Sequence, residues 1–270
     1  MSVDLDAYFR RIGYSGDRAP TLAALRELHR LHPQAIAFEN LSPLLGHPVP
    51  IDPQALHEKM VRGGRGGYCY EQNLLFASVL KGLGFKLREL TGWPRWGVAP
   101  GRLLPRTHLL MLIDLEGEEW LADVGFGGNT LTGPLRLRDP GEQATPHEPA
   151  RVVGEDGGFV IQVKIDEAWR DLVAFDLGAQ SFAELEMGNW FTSTHPKSRF
   201  KNELFAARAD TGRRYGLLDN VLTEHRRDGQ SERRKLTTTA ELRDALTDIF
   251  KIKLPQGADL ETVLERFAGA

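Results

Sequence analysis

Apolar positions recur at helical spacing through the first ~90 residues. Leu5, Tyr8, Phe9 and Ile12 stand at i, i+3, i+4 and i+7, and Gly13 supplies a left-handed stop. Pro20-Thr21 opens a second helix with Leu22, Leu25, Leu28 and Leu31 inward and Pro33 as its expected end. Asp52-Pro53 reads as an N-cap followed by proline at the first helical position, starting a third helix through Met60. A fourth carries Leu74, Leu75, Phe76, Val79, Leu80 and Leu83, closed by Gly82 and Gly84.

Beyond Phe85 the pattern changes to short runs rich in β-branched and aromatic residues, separated by Gly, Asp and Pro. Strands are expected at 86–92, 107–114, 119–126, 150–154, 159–166 and 169–175, a spacing that suits a barrel or sandwich. The pattern is irregular near Asn189. A hairpin is then expected from 215–227 with 230–236, turning at Asp228-Gly229. Thr238 with Glu241 forms a capping box before Leu242, Leu246, Ile249 and Phe250, and a last amphipathic turn covers 260–267. The fold class is therefore α+β: a helical bundle at 1–88, a β domain at 89–200 and a smaller α/β piece at 201–270.

Composition narrows the function. With 41% hydrophobic and 26% charged residues in 270, the chain has the material for a real core. No run of 18 apolar residues suggests a membrane span, and the acidic N-terminus, with Asp4 and Asp6, does not read as a signal peptide. A net charge of −3 gives no overall attraction to nucleic acid or membrane. Between His195 and Lys235, however, eleven Lys/Arg face six Asp/Glu, either a solvated face or a surface that meets an anionic ligand. A single cysteine excludes an intramolecular disulfide and a cysteine-rich metal site, and it suits a reducing cytoplasm. No metal is expected.

That cysteine is the chemical focus. Cys69 follows Gly66-Gly67 and stands in or beside the first turn of the fourth helix, where unpaired N–H groups favour an anion and hence a thiolate. A buried thiol that only packs is the competing reading. A nucleophilic thiol needs a base, and the base needs an orienting group. Of the eight histidines, His29, His32 and His57 lie on amphipathic helices, and His47, His147 and His225 lie in turns or at hairpin edges; packing or surface roles suit all six. His195 is a loop histidine and second candidate. His108 differs, because it starts the apolar run Leu109–Ile113 directly after a Pro- and Gly-rich stretch.

Hairpin parity then selects an acid. If 107–114 pairs with 119–126 around Glu116-Gly117, opposite residues sum to 233, which puts Asp123 on the same face as His108. Asp123 is flanked by Leu121, Ala122 and Val124, a poor setting for a carboxylate without a partner. Such an Asp either orients a histidine or caps a local turn. The run from Gly125 to Thr130 contains three glycines but fits neither a Walker loop nor a dinucleotide fingerprint.

Five blocks together resemble the arylamine N-acetyltransferase family: Ala37-Phe38-Glu39-Asn40-Leu41, Arg65-Gly66-Gly67-Tyr68-Cys69-Tyr70-Glu71-Gln72-Asn73, Thr107-His108-Leu109, Asp123-Val124-Gly125-Phe126-Gly127, and the stretch from Asn189 to Phe200. The resemblance implies a helical bundle, a β-barrel and an α/β lid around a papain-like core. It implies a triad of Cys69, His108 and Asp123, acetyl-CoA as donor, and an aromatic amine or hydrazine as acceptor, by a ping-pong route through acetylated Cys69. It also implies Phe38 and Phe126, with Trp96, at the acceptor pocket, and Thr107, Gly127, Gly128 and Phe200 near coenzyme A. Glu39 and Arg65 are expected to pair beside the site. The chain departs from the family pattern at Trp93-Pro94, which puts the acceptor range in question. A cysteine hydrolase using water, and a non-catalytic aromatic-binding module, are the alternative readings of the same residues.

Overall fold

Asp4 caps α1 (Leu5–Ile12) through the Ala7 N–H, and Gly13 ends it at φ 73°. Thr21 caps α2 (Leu22–Ala35), which runs two residues past Pro33, the expected stop. A proline in the last turn forfeits one hydrogen bond only, and Ile36 N–H still reaches the His32 carbonyl. The two-residue strand β1 (Phe38–Glu39) leads into α3 (Leu41–Leu44). The helix expected from Asp52 to Met60 starts as α4 (Pro53–Leu56), capped by Asp52, and widens into a π-helix over His57–Arg62. The fourth predicted helix is α5 (Cys69–Gly82). The computed structural model describes residues 3–99, 102 and 104–269; Pro100, Gly101 and Leu103, in the stretch leading to His108, lie outside the described residues.

Strands β2 (Lys86–Pro94), β3 (His108–Leu115), β4 (Glu118–Ala122), β5 (Leu135–Arg136), β6 (Ala150–Glu155), β7 (Gly158–Ile165) and β8 (Ala168–Phe175) form one antiparallel sheet in the order β5-β4-β3-β2-β8-β7-β6. It curls into a nearly closed barrel, and Gln143 stitches its edges: its backbone pairs with Ala150 on β6 while its side chain bonds both backbone groups of Arg136 on β5. The β3–β4 hairpin turns at Glu116 (φ 57°) and Gly117 (φ 81°) and has the expected register, Met111 opposite Ala122 and Asp114 opposite Glu119. The second strand stops at Ala122 instead of Phe126. Strand β3 is buried on both faces: Leu109, Met111 and Ile113 pack on the helical core with α5, whereas Leu110 and Leu112 enter the barrel.

The irregular segment near Asn189 is in fact a helix, α6 (Phe182–Thr194), opened by a Ser181–Glu184 capping box. Phe182, Met187 and Trp190 face solvent while Asn189, Thr192 and Ser193 are buried beside Leu185, so the usual amphipathic signal is lost. Helix α7 (Arg199–Asn202) follows, then β9 (Phe205–Asp210), β10 (Arg213–Leu218), β11 (Val221–Arg226) and β12 (Ser231–Lys235). The run expected as one strand from 215 to 227 thus folds back on itself at Asp219 (φ 53°) and Asn220, a tight turn between two apolar pairs. The second sheet has the order β1-β9-β10-β11-β12, so the Phe38 segment forms its edge beside Ala207. Helices α8 (Thr239–Asp244), extended by π-helical turns over Ala245–Ile249, and α9 (Ala258–Glu265) cover it, burying Leu242, Leu246, Phe250 and Leu264.

Candidate active site

The Gly66-Gly67 turn is set by buried charge. Glu39, fully buried, accepts from Arg65 Nε at 2.9 Å, from Gly66 N–H at 3.2 Å and from Leu41 N–H at 2.7 Å. Burial pushes its carboxyl up, but the charges of Arg65 and Lys59 outweigh this and hold it below the usual range. Any side chain at position 66 would put its Cβ 2.0 Å from the Ala37 carbonyl, so the turn requires glycine. Glu71 accepts the Tyr68 N–H at 3.1 Å and pairs with Lys59 at 2.6 Å, which fixes the start of α5. Cys69 is its first residue and is 5% exposed; its thiol points to the Thr107 carbonyl at 3.6 Å.

His108, the first residue of β3, meets Asp123 just beyond β4: Nε2–H donates to Oδ2 at 2.6 Å. The other carboxylate oxygen accepts from Asn73 Nδ2 and from Gly125 N–H, both at 2.9 Å. Burial alone lowers a histidine's pKa, but the charge and hydrogen bond of Asp123, followed by the hydrogen bond and charge of Cys69, raise His108 to about 10. Asp123 shifts the opposite way: burial raises it, and His108, Asn73 and Gly125 together bring it below its usual value. The three side chains thus form a thiol–imidazole–carboxylate series, with the imidazole held as a cation by the Asp123 carboxylate.

Hairpin register alone does not complete this geometry, because the β3–β4 ladder ends at Met111 and Ala122. Asn73, one turn along α5 from Cys69, also donates to the Leu109 carbonyl at 2.6 Å and accepts the Val124 N–H at 2.9 Å, tying α5 to both strands. His29 accepts the Asp123 N–H at 3.2 Å, and burial pushes its pKa down to about 4. The sequence signals for these two were present but ambiguous: Asn73 ends the cysteine block, and His29 reads as a packing histidine. Gly125 lies so near α5 that an added Cβ would be 3.0 Å from Cys69 Cα, Gln72 Cβ and Asn73 Nδ2. His195 is engaged elsewhere: its ring stacks on Phe191 at 4.6 Å and Nδ1 accepts the Lys197 N–H.

Aromatic rings gather around the triad. Phe126 stands edge-on to His108 with centroids 5.0 Å apart. Phe38 is held between Ala207 on β9 and Gly67, with its ring 5.9 Å from Phe200 and against Gly127. Phe200 also stacks on Tyr68 at 5.4 Å, and Asn40 fixes its backbone by bonding the carbonyls of residues 200 and 203. Trp96 is 42% exposed in the turn after β2. Trp93 lies under the Arg106 guanidinium, which is 4.6 Å from its ring and paired with Asp176 through two 2.8 Å bonds. Thr107 is half-buried and Gly128 exposed. Among the described residues no group of three His, Cys, Asp or Glu is placed to hold a metal, and no helix is long and apolar enough to cross a membrane.

A family model described as N-acetyltransferase matches residues 21–259. An arylamine N-acetyltransferase of Mycobacterium tuberculosis is 41% identical over 258 residues, covering 94% of this chain and 91% of that protein. That of Escherichia coli is 39% identical over 251 residues, covering 93% and 89%. The solved structure of Mycobacterium marinum arylamine N-acetyltransferase in complex with CoA has a TM-score of 0.94 against this fold at 39% identity, covering 98% of this chain and all of that one.

Proposed function

This chain belongs to the arylamine N-acetyltransferase family, and we propose that it moves an acetyl group from acetyl-CoA to an aromatic amine or hydrazine by way of Cys69. The observation that carries this reading is the buried series in which His108, 2.6 Å from Asp123, shares its imidazole with a thiol at a helix start. The thiolate attacks the thioester carbonyl, coenzyme A leaves as a thiol with the proton from His108, and an acetyl-thioester remains on Cys69. Asp123 keeps the imidazole in one orientation and stabilises its charged form. N–H groups in the first turn of α5, unpaired within the helix, are suited to stabilise the oxyanion.

The acceptor then attacks the same carbon. An arylamine is uncharged at neutral pH and can attack directly, whereas an alkylamine is mostly protonated. We assign Phe38 and Phe126 to the acceptor pocket, with Trp96 at its outer rim, and Thr107, Gly127, Gly128 and Phe200 to coenzyme A. A reducing cytoplasm, where a lone thiol persists, is the compartment we assign. A two-step scheme of this kind predicts parallel initial-rate lines when arylamine is varied at several acetyl-CoA concentrations. Intersecting lines would overturn the acyl-enzyme route.

A further inference from the structure

The loop that brings Phe126 to His108 is fastened from outside by the C-terminal sheet. Arg214 on β10 is only 6% exposed. Its Nε and Nη2 donate to the Glu148 carboxylate at 2.9 and 2.6 Å, while Nη1 donates to the Thr130 carbonyl at 2.9 Å and reaches that of Gly128 at 3.4 Å. Burial pushes the Glu148 carboxyl up, but the charge and hydrogen bonds of Arg214 hold it below the usual range, so the pair is ionic. Beside it, buried His147 closes the same junction. Nε2–H donates to the carbonyls of Asp210 at 2.9 Å and Arg213 at 3.2 Å, which leaves Nδ1 to accept from the Thr132 hydroxyl at 3.2 Å.

The loop therefore has two ends under control. Asp123 accepts the Gly125 N–H at one end, and Arg214 grips the Gly128 and Thr130 carbonyls at the other. Between them Phe126 covers one edge of His108, and Gly127, at φ 85°, passes against the Phe38 ring. We propose that Arg214 is a positioning residue for acyl transfer: by gripping the far end of this loop it keeps Phe126 over His108 and so shields acetyl-Cys69 from water.

The inference rests on the acyl-enzyme reading, and its consequence is a choice between two acceptors. In transfer, the amine nitrogen attacks the acetyl carbon, the C–N bond forms as the C–S bond breaks, and the amine's proton passes to His108. In hydrolysis, water attacks the same carbon and the same C–S bond breaks; one proton of the water passes to His108, and acetic acid leaves and gives up the other to solvent. A loosened loop admits water and misplaces the amine, so the ratio of the two products changes. A residue that only stabilised the fold would alter the amount of active enzyme and lower both rates together, leaving the ratio fixed.

The test compares acetate with acetylated amine formed from acetyl-CoA by the wild-type enzyme and by Arg214→Gln. The ratio should rise about tenfold in the variant. Arg214→Lys keeps a charge opposite Glu148 but lacks the planar fork that serves a carboxylate and a loop carbonyl together, so it should show a smaller rise in the same direction. If Arg214→Gln fails to fold, the lysine variant carries the test. A ratio equal to wild type in the folded variants overturns the inference while leaving the function intact, provided the wild-type protein still accumulates acetylated Cys69. A wild-type protein without that species overturns the acyl-enzyme reading itself.

Discussion

Gly125→Ala tests how closely the Asp123 loop and the cysteine helix must fit. The added methyl would lie 3.0 Å from Cys69 Cα, Gln72 Cβ and Asn73 Nδ2. Carbon atoms prefer separations of about 3.5–4.0 Å. All three contacts are on one turn of α5, so no single side chain can yield; loop and helix must part by about 0.5 Å. Overpacking of this kind costs roughly 1–3 kcal/mol, which for a chain of this size lowers the unfolding midpoint by roughly 2–10 °C. The separation also stretches the bonds that Asn73 and Gly125 make to Asp123. Misplacement by 1 Å costs about a hundredfold in rate, so half of that predicts a loss of about tenfold in kcat/KM. Calorimetry and steady-state kinetics measure both effects. Gly154→Ala is the control, because its Cβ would meet nothing within 4 Å. A Gly125→Ala enzyme with wild-type midpoint and wild-type kcat/KM would refute the reasoning.

Three other outcomes follow from the site. Cys69→Ser should abolish acetyl transfer and leave the unfolding midpoint within about 2 °C, since a hydroxyl is close to a thiol in size and the contact to the Thr107 carbonyl is a long one at 3.6 Å; substantial residual turnover counts against the mechanism. Asp123→Asn should lower kcat about 10⁴-fold and stability by roughly 3 kcal/mol, read by kinetics and urea unfolding; a fully active variant removes Asp123 from its assigned role. The third concerns acid. His29 and His32, held at about 4 and about 3 by burial, contribute stability that is complete above the unfolded value near 6.5 and is lost as pH falls below it. At pH 5 each has given up about 2 kcal/mol. His108, raised to about 10, has the opposite sign: its contribution is complete below 6.5 and fades as pH climbs toward 10. Midpoints measured from pH 7 to 5 should fall less steeply in His32→Gln than in wild type, and equal slopes would contradict a buried neutral His32.

The readable parts of the fold were those in which one physical rule acts alone. The β3–β4 register could be counted because the hairpin turn and a two-faced apolar strand leave one alignment. The caps at Thr21, Asp52 and Thr238 are local hydrogen bonds between near neighbours. Helix α6 was hidden because Phe182, Met187 and Trp190 face outward, leaving Leu185 as its buried leucine, while its polar residues bond inward, Asn189 to Val49 and Tyr68 across the core. The break at Asp219 has the same origin: its side chain accepts the Leu204 N–H, a partner that folding alone supplies. At the site, residue types and helix position pointed to Cys69, His108 and Asp123. Asn73, His29 and Arg214 act through backbone groups of distant segments, and sequence spacing has no record of those.

The central claim is that Cys69 holds the acetyl group between donor and acceptor. Mixing the protein with acetyl-CoA in the absence of amine, then measuring the intact mass and mapping the peptide that contains Cys69, tests it directly. A gain of about 42 Da confined to that peptide, reversed on adding an arylamine with release of its N-acetyl product, is the predicted result. Acetylated arylamine formed at full rate with no mass gain at Cys69 would contradict it.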